Sequence, residues 1–205
     1  SALQNEPGAI ATINGGKFYK SLNVNSNDYY VITNHGKLTI NDGIIESESS
    51  HSSAIENGWY TPGQNTGKVF AELTIKGGEV SSLNASGGLY TLKNDDYGIM
   101  TIEGGTFTNT VSDCGTVLNW NELTVKGGIF HASGAAIATM AEGSDGKPKY
   151  SYEQGITTIS GGTLNGSLAT NTSYSAAITW NITGGTFNCT NGQGSAVAIY
   201  DIGKV

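Results

Sequence analysis

Not one of the 205 residues is arginine, and ten scattered lysines face seventeen acidic residues, leaving a formal charge of −7. Nucleic-acid binding needs a clustered basic footprint, and anionic sugars favour a bidentate guanidinium. Nucleic acid and anionic membrane are therefore poor partners. No apolar run approaches the ~20 residues that span a bilayer, so no membrane insertion is expected. The opening SALQNEPGAI has no charged and hydrophobic signal pattern. Also missing are a Walker loop, HExxH, CxxC and Gly-x-Ser-x-Gly, and His35, His51 and His131 show no ligand spacing with one another. Neither a cofactor nor a metal is expected.

What the chain does have is one short phrase written seven times: apolar–Thr–apolar–x–Gly–Gly–x–apolar, with local substitutions. The copies are ATINGGKF from Ala11, LTINDGII from Leu38, LTIKGGEV from Leu73, MTIEGGTF from Met100, LTVKGGIF from Leu123, TTISGGTL from Thr157 and WNITGGTF from Trp180. Their central residues, Ile13, Ile40, Ile75, Ile102, Val125, Ile159 and Ile182, recur at intervals of 23 to 35 residues. That is a solenoid period. Two-residue alternation within the phrase reads as a strand with one face buried. Leu38 and Ile40 point inward, and Thr39 and Asn41 outward. Gly-Gly then supplies a corner, beyond which Phe18, Ile45, Val80, Phe107, Phe130, Leu164 and Phe187 resume the inward column.

A second phrase, a small residue before Ile or Leu, precedes the first: Val31-Ile32, Ala54-Ile55, Thr91-Leu92, Val117-Leu118, Ala136-Ile137, Ala177-Ile178 and Ala198-Ile199. It adds a third strand to each coil, and coils of three strands stack at ~4.8 Å. Thirty Gly, twenty-three Thr, twenty Ser and nineteen Asn suit frequent corners and outward polar ladders. In these repeats the chain resembles the right-handed parallel β-helix proteins, the pectate-lyase-like architecture. The resemblance implies an all-β solenoid of about eight coils with two corner insertions, forming a single domain over residues 1–205.

Residues 8–10 already read as part of a coil, and Ile202-Gly203-Lys204-Val205 reads like the Gly36-Lys37-Leu38 that leads into another repeat. We expect a segment of a longer solenoid, or a subunit that associates end to end or laterally. Cys114 and Cys189 lie three coils apart, roughly 14 Å at that spacing, beyond the ~7 Å limit for a disulfide. Thr12, Thr39, Thr74, Thr101, Thr124 and Thr158 should stack as an outward column. Beside it, Lys76, Glu103 and Lys126 alternate in sign as a solvated ladder.

The corner between the second phrase and the next Thr-Ile takes four residues at Ile178–Ile182 but twenty at Ile55–Ile75 and twenty-two at Ile137–Ile159. Both insertions leave the rod at one edge, three coils apart, where the sequence concentrates aromatics: Trp59, Tyr60, Tyr97, Trp120, Tyr150, Tyr152 and Trp180. These rings have two readings. They can pack the insertions, or they can stack on the sugar rings of a neutral glycan.

Many proteins of the resembled architecture are polysaccharide lyases or glycoside hydrolases, which implies clustered acids with a nearby His or basic residue. Asn94-Asp95-Asp96-Tyr97 and Asn34-His35-Gly36 only echo that arrangement, so Asp95, Asp96 and His35 are the catalytic candidates if the chain is an enzyme. The reading carried forward is a non-enzymatic structural or adhesive rod that is extracellular, on a cell surface or on a virion. Its partners would be a glycan or another host or cell-surface component. The resemblance implies such surface and phage-appendage roles.

Overall fold

The structure, a computed structural model, describes residues 1–21, 29–60, 66–86, 88–144, 146–170 and 178–188. Among these the chain is all β, with seventeen strands joined by parallel pairing into one continuous system that winds as a parallel β-helix solenoid. Its registers resolve into three columns. In the first, Ile13, Ile40, Ile75, Ile102, Val125, Ile159 and Ile182 pair one to one. In the second, Phe18, Ile45, Val80, Phe107, Phe130, Leu164 and Phe187 do the same. In the third, the order is Leu3, Ile32, Ile55, Leu92, Val117, Ile137 and Leu168. Among the described residues each column has seven rungs. The expected Thr column also stacks, Thr12 through Thr158, with Asn181 as its seventh member.

The core is the interior of this tube. Ile40, Ile75, Ile102, Phe107, Phe130, Leu92 and Ile137 are wholly buried, each stacked on a side chain of the same kind one rung away. Phe107 and Phe130 are parallel at 4.9 Å between ring centroids, which adds to their area burial.

The glycine pair has two distinct causes. The second glycine, such as Gly78 at φ +87°, adopts a backbone that L side chains resist. The first, such as Gly77, has no such conformation; a Cβ there would lie 2.7 Å from the Asn41 carbonyl oxygen of the coil before. Gly77→Ala should therefore cost roughly 1–3 kcal/mol, as overpacking against backbone usually does. A denaturation midpoint unchanged from the parent would show that the corner has slack.

Two of the second-phrase pairs differ from the expected register, and a third lies outside the described residues. In the fifth rung the inward residue is Val117, and Leu118 pairs with Lys93 on the outward side. The phrase there is Thr116-Val117, because strand Gly115–Asn119 must bring Asn119 beside Asn94. In the seventh rung the inward residue is Leu168, which pairs with Ile137, whereas Ile178 lies outside any strand. The strand Thr163–Thr170 runs through the corner and reaches the third column before Ala177 is met. Ala198-Ile199 lies outside the described residues.

A feature not anticipated from the repeats runs up the same column. Asn5, Asn34, Asn57, Asn94 and Asn119 are buried and joined rung to rung, each Nδ2 donating to the next Oδ1 at 2.7–2.8 Å. The chain of amides continues from Asn119 Nδ2 to Thr157 Oγ1 at 3.0 Å, which meets Thr139 Oγ1 at 2.6 Å. The same amide groups also donate to backbone carbonyls of Glu72, Gly98 and Glu122, tying the third column to the first.

Outside, Lys126 Nζ meets Glu103 Oε1 at 3.2 Å, with both side chains well exposed, so the charge ladder contributes little. Cys114 is buried and its Sγ donates to the Ser86 carbonyl; Cys189 lies outside the described residues.

Candidate functional site

The ladder asparagines set the geometry of the edge. The residue after Asn34, Asn57, Asn94 and Asn119, and Met140 after Thr139, donates its N–H to the ladder carbonyl of the coil before: His35 to Asn5, Gly58 to Asn34, Asp95 to Asn57, Trp120 to Asn94 and Met140 to Asn119. Five unlike residues thus occupy one corner column, and both insertions leave from it.

The insertions fold onto this column. Trp59 donates its N–H to the Asp96 carbonyl and its Nε1 to the Val69 carbonyl, and its ring stacks on His35 at 3.8 Å and 3°. Lys68 Nζ lies 4.3 Å from the same ring. The second insertion runs back along the rod until Tyr152 stacks on Tyr97 at 4.5 Å and accepts its N–H. Tyr150 and Phe70 extend the group, at 5.1 Å from Tyr152 and 5.2 Å from Tyr97. Tyr97 itself holds φ at 60°, which presents its ring across the gap. Tyr97, Tyr152 and Trp120 are buried, and Trp59 and Tyr150 half-buried. Tyr97, Tyr152, Tyr150 and Phe70 form one packed group under the insertions, and Trp59 packs separately on His35.

Trp180 is not on that edge. Its rung-mate is Thr157, in the inward series Ala11, Leu38, Leu73, Met100, Leu123 and Thr157, and it packs against the main core. Two-residue alternation requires this, because Ile182 two residues later faces in.

Asp95 and Asp96 are wholly buried and turn to different neighbours. Asp95 Oδ2 lies 3.2 Å from Lys93 Nζ, while burial pushes its carboxyl above the ordinary range. Asp96 neighbours Glu153, a buried acid at the base of the second insertion that accepts the Glu142 N–H. Desolvation, with the Asp96 and Glu142 carboxyls nearby, pushes Glu153 up to about 8, so it keeps its proton at neutral pH. His35 sits two rungs from Asp95, half-buried under Trp59, and desolvation lowers its pKa. The structure does not bring the three catalytic candidates into one open cluster. Among the described residues no group of three or more His, Cys, Asp or Glu could hold a metal ion.

An accessible concavity does lie on the outward side of the third column. Tyr90, Leu118, Trp120, Ala138, Met140 and Ala169 line a cavity of about 450 Å³. Tyr90 and Leu118 also line a smaller adjoining one of about 160 Å³, with Tyr60, Lys93, His51 and Ser53. Together they form a groove crossing the rungs, apolar along its floor and polar at the Lys93 end. Lys93 Nζ stands 4.0 Å from the Tyr60 ring, and burial pushes the Tyr90 hydroxyl up to about 12. Of the seven aromatics singled out from sequence, Tyr60 and Trp120 reach this groove. Tyr90, Leu118 and Met140 were missed, although the offset at Leu118 was visible once Asn119 was aligned with Asn94.

No family model matches the chain, and neither a curated protein nor a solved structure is found similar to it.

Proposed function

We propose that this chain is a non-enzymatic structural and adhesive rod, extracellular or on a cell or virion surface, that holds a neutral glycan in the groove beside its third column. The observation that carries the reading is the groove itself: Tyr90, Leu118, Trp120 and Met140 form an apolar floor next to Lys93, His51 and Ser53. Sugar rings offer apolar C–H faces to such a floor and hydroxyls to its polar end. The burial of Asp95 and Asp96, each engaged by a neighbour, supports recognition rather than turnover. A neutral ligand suits a groove with one cation and no arginine in the chain.

A glycan-array screen tests this with three proteins. The parent should bind neutral oligosaccharides. Ala169→Trp, which plugs the larger cavity from a half-buried position, should lose binding at least about tenfold, equivalent to about 1.4 kcal/mol. Tyr60→Ala should weaken it less, since its ring is 38% exposed at the groove's far end. A folded parent that binds nothing on the array would leave the rod a structural element alone.

A further inference from the structure

The outward row of the third column sets how far the groove runs. From the seventh rung towards the third it reads Ala169, Ala138, Leu118, Lys93 and Glu56 by register. The alanines leave the larger cavity open, whereas at the fourth and third rungs the row rises to two long side chains. Lys93 Nζ is held 3.2 Å from Asp95 Oδ2 and 4.0 Å from the Tyr60 ring, and Glu56 is only 4% exposed. The groove is therefore blind at its Lys93 end, with Tyr60 of the first insertion against the closing wall.

Ser53 stands at that blind end. It is wholly buried, it lines the smaller cavity, and its Oγ has no hydrogen-bond partner among the described residues. The serines just before it are all engaged. Ser49 Oγ accepts the N–H groups of His51 and Ser52, Ser50 Oγ meets His51 Nδ1 at 2.7 Å, and Ser52 Oγ accepts the Tyr29 N–H. Buried hydroxyls are normally paired, so the unmet one marks where a ligand hydroxyl fits. The cavity around it, about 160 Å³ between Tyr30, Tyr60 and Tyr90, is well below the ~300–1,000 Å³ of a site for a whole small ligand. It has room for one ring of a chain, with tyrosine faces to stack on it.

We infer that the smaller cavity is an end-reading subsite, which takes the terminal sugar of a neutral glycan chain. The inference rests on the glycan reading of the groove given above. Ser53 Oγ bonds a hydroxyl that an internal sugar has lost to its glycosidic link, and the rest of the chain lies in the larger cavity towards the seventh rung. An internal sugar does not fit, because the chain would have to continue through Lys93 and Glu56. The rod then grips chain ends and passes over uninterrupted stretches.

The test titrates the parent with soluble linear β-1,4-mannan, β-1,3-glucan and α-1,6-glucan, each as the polymer and as its partial acid hydrolysate, and follows the fluorescence of Trp120, which lines the groove. Per gram, shortening the chains about tenfold should raise binding about tenfold, in proportion to the ends it creates. Ser53→Ala should melt no lower than the parent, since it removes an unmet hydroxyl, yet bind the hydrolysate about fivefold more weakly, the usual worth of one neutral hydrogen bond. Equal binding per gram by polymer and hydrolysate overturns the end-reading subsite and keeps the groove as a site for internal segments. Ser53→Ala binding at parental strength also overturns it. A folded parent that binds no preparation overturns the inference together with the glycan reading.

Discussion

Replacing Asn94 by Ala is expected to destabilise the rod by roughly 3–5 kcal/mol, since each buried partner left unsatisfied costs about 1–3 kcal/mol. Asn94 is wholly buried and central in the amide ladder. Its Nδ2 donates to Asn119 Oδ1 at 2.8 Å, the Glu122 carbonyl at 2.8 Å and the Gly98 carbonyl at 3.0 Å, and its Oδ1 accepts from Asn57. Truncation leaves the Asn119 Oδ1 without its donor and the Asn57 amide with only its longer bonds to the Ala71 and Ile99 carbonyls. Asn94→Asp keeps the acceptor but loses the donors and introduces a buried charge, so it should be no better at neutral pH. Urea denaturation measures the loss, and hydrogen exchange should place it in the rungs flanking residue 94, because solenoid repeats depend mainly on their neighbours. A change below about 1 kcal/mol would falsify the view that the ladder holds the third column together.

The second large effect is on pH. Glu153 keeps its proton up to about 8 in the folded chain, whereas the ordinary value is 4.5. The native state therefore binds the extra proton between those two values, so stability is full below 4.5, falls as pH rises through the window and levels off above about 8. Asp95, also raised by burial, adds a slope of the same sign. The loss should reach about 2–4 kcal/mol once structural relaxation is allowed for. Glu153→Gln, which stays neutral and can still accept the Glu142 N–H, should flatten most of the slope and melt above the parent at pH 8. Thermal melts at a series of pH values decide it. A parent more stable at pH 8 than at pH 5 would mean that Glu153 is solvated and ionised in the folded chain.

Much of the architecture could be read before any coordinates. Thr-Ile-x-Gly-Gly repeats because two inward residues, a corner and a third inward residue are needed at every rung, and Ile13 to Ile182 stack one on another as the intervals imply. The second phrase was less legible. Small-then-apolar pairs are common, and nothing local distinguishes Val117 from Leu118 or Leu168 from Ile178 as the inward residue. The asparagine after the pair carried the missing register, since Asn34, Asn57, Asn94 and Asn119 each end a third-column strand.

The aromatic edge divides in the same way. The insertions themselves, with Trp59, Tyr60, Tyr150 and Tyr152 in them and Tyr97 and Trp120 at the shorter corners between, follow from the unequal intervals. Trp180 was readable as an inward residue from the alternation with Ile182, and its aromatic character alone suggested otherwise. Which rings pack and which line an open groove had no local signature. Tyr97 meets Tyr152 only because the second insertion runs back across the rungs.

The sequence by itself determined the coil: alternation selects an inward and an outward face, paired glycines permit the corner, and equal phrases impose equal rungs. Those are properties of a few neighbouring residues. Tertiary structure alone decided the asparagine ladder, the burial of Glu153 beside Asp96, and the groove beside Leu118. Each joins residues from different coils, up to 57 positions apart for that acid pair, and their meeting depends on how insertions of unequal length settle against the stacked rungs.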